Sequence, residues 1–389
     1  MSAGTKSKTA SRSLAEDVAQ LAAGGDVTLA RTVAAHGRPA LDAVVPLFAG
    51  RWHAQVTPGT MIRLIRGPGV IARLAELARN LELEIQPFAA AALGHTRDAE
   101  ALPPLLAMLD APFTTEVAAR ALGELGRVDA LGSLVARWHG LVGGDARAQL
   151  TALAEAGAEV APMDAMAVAT GRLRLGDGDG DGAMTAALVG LTAADASTSV
   201  RVEALRALRW SPRREAAAAL RTVAASTSDG ELGQHAIAGI AQLGIQACVG
   251  ALVALIAAAG PHDALLRAAL VELVGDEVEV EAPAPVLRRW WMRSAGALAP
   301  TMPRWRYGDL GASLPAMAGR HGGSVRTRVE LWTNVDFVDT AEPGVAGDPH
   351  DVVGAMAWWV AHRSGWQADQ AYRAGRVVDA AATADGLAS

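Results

Sequence analysis

Phenylalanine and tyrosine are scarce in this 389-residue chain: four Phe and two Tyr stand beside ten Trp. Ala, Leu and Val must then fill any core, and small side chains suit helices whose axes come close together. Lysine is confined to Lys6 and Lys8, and every other basic residue is Arg. A GC-rich genome explains that bias more simply than selection for guanidinium chemistry. The single cysteine, Cys248, excludes an intramolecular disulfide and a cysteine-based zinc site. Within the apolar IQACVGALVALI it reads as a small core residue. No run reaches the roughly 18 apolar residues of a membrane span, so no membrane association is expected. The first thirteen residues, MSAGTKSKTASRS, lack the apolar stretch of a signal peptide, and the cytoplasm is the expected location. A net charge of -6 gives no global basis for nucleic-acid binding.

What the chain has in abundance is a repeat. EVAARALGELGRVDALGSLVARW, residues 116–138, is an apolar run, a glycine break and a second apolar run. Similar units break at Gly94, Gly126, Gly157, Ser211, Gly244 and Gly275, at intervals of 32, 31, 54, 33 and 31 residues. An earlier copy breaks at Gly37. The long interval reads as one unit plus a loop insertion near 172–183. In VRVEALRALRW, Val202, Leu205 and Leu208 share one helical face, and Arg201, Glu203, Arg206 and Arg209 point elsewhere. One helix pair cannot bury both of its apolar faces, whereas stacked copies can. The glycines are placed to end the first helix of each pair. Pro103, Pro104 and Pro162 fall near the starts of second helices, where a missing N–H matters least.

The expected fold is therefore all-α: a right-handed α-solenoid of paired antiparallel helices with an atypical C-terminal helical cap. Residues 1–13 are expected to be a disordered tail and 14–290 the solenoid. A Trp/Arg-rich cap region follows over 291–375, and a flexible tail over 376–389. In these units, Ala-rich helix, then LG, then Asp or Ala, then an apolar helix, the chain resembles the HEAT-repeat class in its short form, as in phycobilin-lyase-like repeat proteins. The resemblance covers roughly residues 27–290 and implies the fold. It implies function weakly, because such scaffolds host both binding proteins and lyases.

Candidate chemistry is thin. Asp177, Asp179 and Asp181 followed by Gly182 match the first half of a calcium loop, but the twelfth position is Leu188 where a bidentate Glu is needed. A metal-free inserted loop is expected. Gly67, Gly69 and Ala72 form a G-x-G-x-x-A, which cradles a pyrophosphate only inside a strand–turn–helix unit. Helical repeats follow instead, so a helix–turn–helix junction is expected. The histidines lack metal-ligand spacing, and no nucleophile motif is present. No catalytic residue, metal or cofactor is assigned.

After Pro285 the composition changes. Between Val286 and Glu330 eight Arg face only Asp309 and Glu330, and Trp290, Trp291, Trp305, Tyr307 and Trp332 crowd together. Trp and Arg are the residues of interface hot spots. They also pack terminal caps, with Arg stacked on Trp. The candidate binding residues are Arg288, Arg289, Trp290, Trp291, Trp305 and Arg306. In LRRWW, Leu287 and Trp291 share a helical face, so one Trp is expected to be buried and the other partly exposed. A short further resemblance, carried by Arg304, Tyr307, Gly308, Arg326, Arg328, Glu330 and Leu331, is to HEAT-like proteins encoded in bacterial type VI secretion clusters. It implies an accessory bacterial protein. Together these features favour a non-enzymatic scaffold or adaptor with a protein partner and no nucleic-acid or small-molecule ligand. A lyase or other enzyme on the same scaffold is the alternative, and it requires a pocket of convergent polar groups.

Overall fold

The computed structural model describes residues 13–25, 27–49, 58–80, 85–96, 98–111, 114–142, 160–175, 182–193, 195–274, 278–295, 299–301, 371–373, 376–378 and 380–388. These residues are largely helical. The helices are α1 (Leu14–Ala22), α2 (Val27–Ala34), α3 (Arg38–Val44), α4 (Pro58–Leu64), α5 (Val70–Arg79) and α6 (Gln86–Thr96). Next come α7 (Leu102–Leu109), α8 (Thr115–Leu125), α9 (Leu131–Val142), α10 (Val160–Arg174), α11 (Ala183–Gly190) and α12 (Thr198–Leu208). The last are α13 (Arg214–Ser226), α14 (Gly230–Leu243), α15 (Gln246–Ala257), α16 (Asp263–Val274), α17 (Ala284–Ser294) and α18 (Ala381–Ala388). The one strand pairing among the described residues is antiparallel, between β1 (Ala371–Arg373) and β2 (Arg376–Val378).

Local chemistry sets several boundaries. Ser13 and Glu16 form a reciprocal cap that starts α1: the Glu16 amide donates to Ser13 Oγ, and the Ser13 amide donates to the Glu16 carboxylate at 2.8 Å. Asp229 accepts the amides of Glu231 and Leu232 to open α14. Pro103 and Pro104 open α7, as their missing N–H groups favour. Gly126 and Gly244 close α8 and α14 in the left-handed region, with φ of 71° and 63°.

Gly94 differs from its expected role as a break. It lies inside α6, where its face meets the Ala121 backbone of α8. Gly123 of α8 and Gly171 of α10 meet in the same manner. These glycines bring helix backbones together instead of ending helices. A stop glycine and a packing glycine look alike in an Ala-rich run.

The helices pack next-but-one along the chain. In the first row α2, α4, α6, α8, α10, α12, α14 and α16 each touch the next. In the second row α1, α3, α5 and α7 follow one another, as do α11, α13, α15 and α17. Val202, Leu205 and Leu208 are buried as their spacing predicts, and so is Cys248. The apolar interior forms two clusters that meet at α12: Val200, Ala204 and Leu208 belong to one, Val202 and Leu205 to the other.

The expected breaks at Gly157 and Gly275 lie outside the described residues, and the repeat phasing departs from expectation at Pro162. Pro162 lies in α10, which stands in the first row between α8 and α12, not in a second helix. The insertion is narrower than 172–183, because α10 runs to Arg174 and α11 begins at Ala183. Apolar periodicity marks a buried face but does not say which row a helix joins. The tail expected to be flexible over 376–389 is a second departure. Its residues 381–388 form α18, which docks on α13 and α15. Ala384 and Leu387 are buried there, Thr383 Oγ1 donates to the Pro212 carbonyl at 2.9 Å, and Gly386 sits on the Arg214 carbonyl. Small residues read as unstructured in sequence are what permits this close seating.

Candidate functional site

The first row carries a seam of charge across five helices. At its α6–α8 end, His95 is buried and its Nδ1 donates to the Ala91 carbonyl at 2.8 Å, so that nitrogen bears the proton. The same Nδ1 lies 2.7 Å from Glu124 Oε2, and Arg174 of α10 approaches the other oxygen at 3.9 Å. Burial works to raise the Glu124 pKa, but His95, Arg174 and Arg63 outweigh it and hold the carboxyl at about 2.

Midway, Arg120 of α8 bridges Glu116 at 2.7 Å and Glu203 of α12 at 2.6 Å. That second pair joins the helices on either side of α10. Glu203 also accepts from Arg206 at 2.6 Å, and Arg206 lies 3.4 Å from His235 of α14. Burial lowers the His235 pKa, helped by Arg206 and Arg209. Burial raises the Glu116 and Asp164 pKa values, against the pull of Arg120 and Arg137 respectively. At the α12 C-terminus, the guanidinium carbons of Arg174 and Arg209 lie 4.7 and 5.4 Å from the Trp210 ring centroid. Each of these seam carboxylates has an arginine opposite it.

The sequence residues point to another part of the molecule. Arg288, Arg289, Trp290 and Trp291 come together on α17. Trp305 and Arg306 lie outside the described residues, as does most of the expected cap region 291–375. Leu287 is fully buried, both arginines are exposed, and both tryptophans are half-buried with ring centroids 6.3 Å apart. The expected split into one buried and one exposed Trp is therefore not seen. Trp291 rests on Gly250 of α15, where a side chain would meet its indole. Met292, at 71% exposure, and Val286, at 38%, flank the arginines. A hollow of about 300 Å³ beside Trp291 is lined by Arg221, Gly250, Ala254, Ala384 and Leu387.

Gly67 and Gly69 form the turn between α4 and α5, a helix–turn–helix junction as expected. The hollow beside it includes Asp98 and Glu100, which disfavour a phosphate. Asp177, Asp179 and Asp181 lie outside the described residues. Among the described residues no group of three or more His, Cys, Asp and Glu is arranged to hold a metal ion. No described helix is long and apolar enough to cross a membrane.

The seam escaped the sequence reading. Its local pairs, Glu116–Arg120 and Glu203–Arg206, have helical spacing and were open to view. The joining contacts, His95–Glu124 and Arg120–Glu203, link distant residues and have no periodic signal.

No protein-family model matches the chain, and no curated protein matches it. Among solved structures, an engineered protein is similar over 88% of this chain and 94% of its own, with 16% identity and a TM-score of 0.33. A likeness at that score carries no argument about function or fold.

Proposed function

We propose that this chain is a right-handed α-solenoid of short HEAT-like helix pairs that acts as a non-enzymatic scaffold, binding another protein through the α17 end. The next-but-one packing in two rows supports the solenoid, since stacked helix pairs touch in that order. One observation carries the binding reading. On α17, Arg288, Arg289 and Met292 are exposed around two half-buried tryptophans, at the end of a helix row. Interface hot spots combine Trp anchors with Arg in this way. The seam, with its carboxylates opposed by arginines, supports a binding role over a catalytic one. The resemblance of the residues beyond α17 to HEAT-like proteins of type VI secretion clusters supports reading the chain as an accessory to a bacterial secretion or multiprotein assembly.

The test is affinity capture from native lysate with the wild type and with Arg288→Glu/Arg289→Glu. Both substitutions are on exposed positions, so the fold should survive, as circular dichroism can verify. A partner captured by the wild type and lost from the folded variant supports the α17 surface. An unchanged partner set moves the interaction elsewhere and refutes this assignment.

A further inference from the structure

Among the described residues of the seam, Arg209 is a buried cation without a carboxylate partner of its own. The Arg209 backbone N–H, at the C-terminal end of α12, donates to the Leu205 carbonyl, but its guanidinium makes no hydrogen bond or ion pair among the described residues, and its Nε is buried. Three arginines, Arg174, Arg206 and Arg120, surround it, with Glu203 as the one attracting carboxylate. Glu203 is already engaged by Arg120 and Arg206, at 2.6 Å each. The neighbouring Trp210 is buried, and its Nε1–H also lacks an acceptor. Two buried donors on consecutive residues, in cationic surroundings, are thus unmet. Leaving such donors unmade destabilises a fold unless something outside the chain supplies the acceptor. The Trp210 ring meanwhile stacks with both Arg174 and Arg209, which limits their motion. A preorganised guanidinium presents a donor fork that matches carboxylate or phosphate oxygens.

We propose that Arg209, with Trp210 and Arg174 beside it, forms a binding site for an oxyanion, a carboxylate or a phosphate, on the first-row seam. The site goes beyond the scaffold reading. It lies on other elements than α17, and a free ion fills it with no protein present. The competing role for Arg209 is structural, since a cation at a helix C-terminus is favoured by the helix dipole. The energetics differ between the two. Burial, then Arg174, Arg206 and Arg120, lower the Arg209 pKa to about 10. A base whose folded pKa lies below its ordinary value costs stability at every pH below that folded value. At neutral pH Arg209 is therefore a liability that an anion relieves.

The experiment uses the full chain, with inorganic phosphate and a hexaglutamate peptide as separate probes at constant ionic strength set with sodium chloride. Calorimetry should show saturable binding of at least one probe. Arg209→Gln should weaken it about tenfold or more, the size expected for a lost charge-assisted hydrogen bond. Arg209→Lys keeps the charge but loses the fork, and should fall between. Arg289→Gln, on exposed α17, should bind as the wild type does. Phosphate binding identifies a free oxyanion as a sufficient ligand, and binding of the peptide alone identifies a carboxylate on a partner chain. Without anion, Arg209→Gln should melt at or above the wild type, and the bound probe should raise only the wild-type melting temperature. Failure of both probes to bind saturably overturns the proposal. So does Arg209→Gln binding equal to the wild type, or an anion-free melt well below it, which marks Arg209 as a structural cation.

Discussion

Adding one methyl group should stabilise this protein at Gly132 and destabilise it at Gly171, although both glycines are in helices. At Gly132, in α9, a Cβ would meet nothing within 4 Å. The 3-10 turn 128–130 runs directly into α9, so Gly132 behaves as a helix-interior residue. Gly→Ala should there gain about 0.5–1 kcal/mol of helix propensity and lost unfolded-state freedom. Gly171, in α10, offers the same gain, but its Cβ would stand 2.7 Å from the Ala119 carbonyl oxygen of α8 and 3.3 Å from Leu134 Cδ1. An unforced C···O contact is roughly 3.3 Å or longer. The obstacle is backbone, so no rotamer change relieves it and α8 and α10 must move apart. Overpacking of this kind costs about 1–3 kcal/mol, which exceeds the propensity gain. The two variants should differ by about 2 kcal/mol, with opposite signs relative to the wild type. Urea unfolding followed by far-ultraviolet circular dichroism measures this as midpoint shifts at constant slope. If Gly171→Ala raises the midpoint as much as Gly132→Ala, the backbones are not in contact and the account of the packing glycines fails.

Glu124 gives a pH signature. Its folded pKa of about 2 lies below its ordinary value of 4.5, so its stabilisation is complete above about 4.5 and is lost as pH falls toward 2. Glu124→Gln should therefore be less stable than the wild type at pH 6, with the gap narrowing steadily between pH 4.5 and pH 2.5; a pH-independent gap would contradict the ion pairing. Gly233→Ala drives a methyl into the buried His262 ring, whose Nε2 donates to the Thr227 carbonyl at 3.0 Å. It should destabilise by about 1–3 kcal/mol, and Gly233→Ala in a His262→Ala background should cost much less, as a double-mutant cycle would show. Leu387→Ala removes a buried anchor of α18; protease cleavage near the C-terminus should accelerate while the global melt moves little, and unchanged cleavage would mean that α18 does not rely on that anchor. Trp291→Ala should lower the melting temperature more than Trp290→Ala, because Trp291 packs on Gly250 of α15; the reverse order would misplace the α17 face.

The residue order alone determined the helical class and much of the local detail. Val202, Leu205 and Leu208 recur at helical spacing, and the apolar positions are buried as that spacing requires. Gly126, Gly244, Pro103 and Pro104 act through backbone dihedrals and a missing N–H, which are properties of the residue itself. The tertiary structure decided the rest. Gly94 and Gly171 mark close approach because of what lies across from them, and nothing in their own helices distinguishes them from stop signals. The placement of α10 in the first row follows from its neighbours α8 and α12, since an apolar face specifies burial and not a partner. The small residues of α18 became a docked helix because α13 and α15 offer a surface they can approach. Arg209 and Trp210 look like ordinary polar-face and aromatic residues along the chain. Only when α8, α10 and α12 are brought side by side do Arg120, Arg174 and Arg206 converge on Arg209 with Glu203 as the attracting carboxylate, because charge balance is set by distance in space and not by position in sequence.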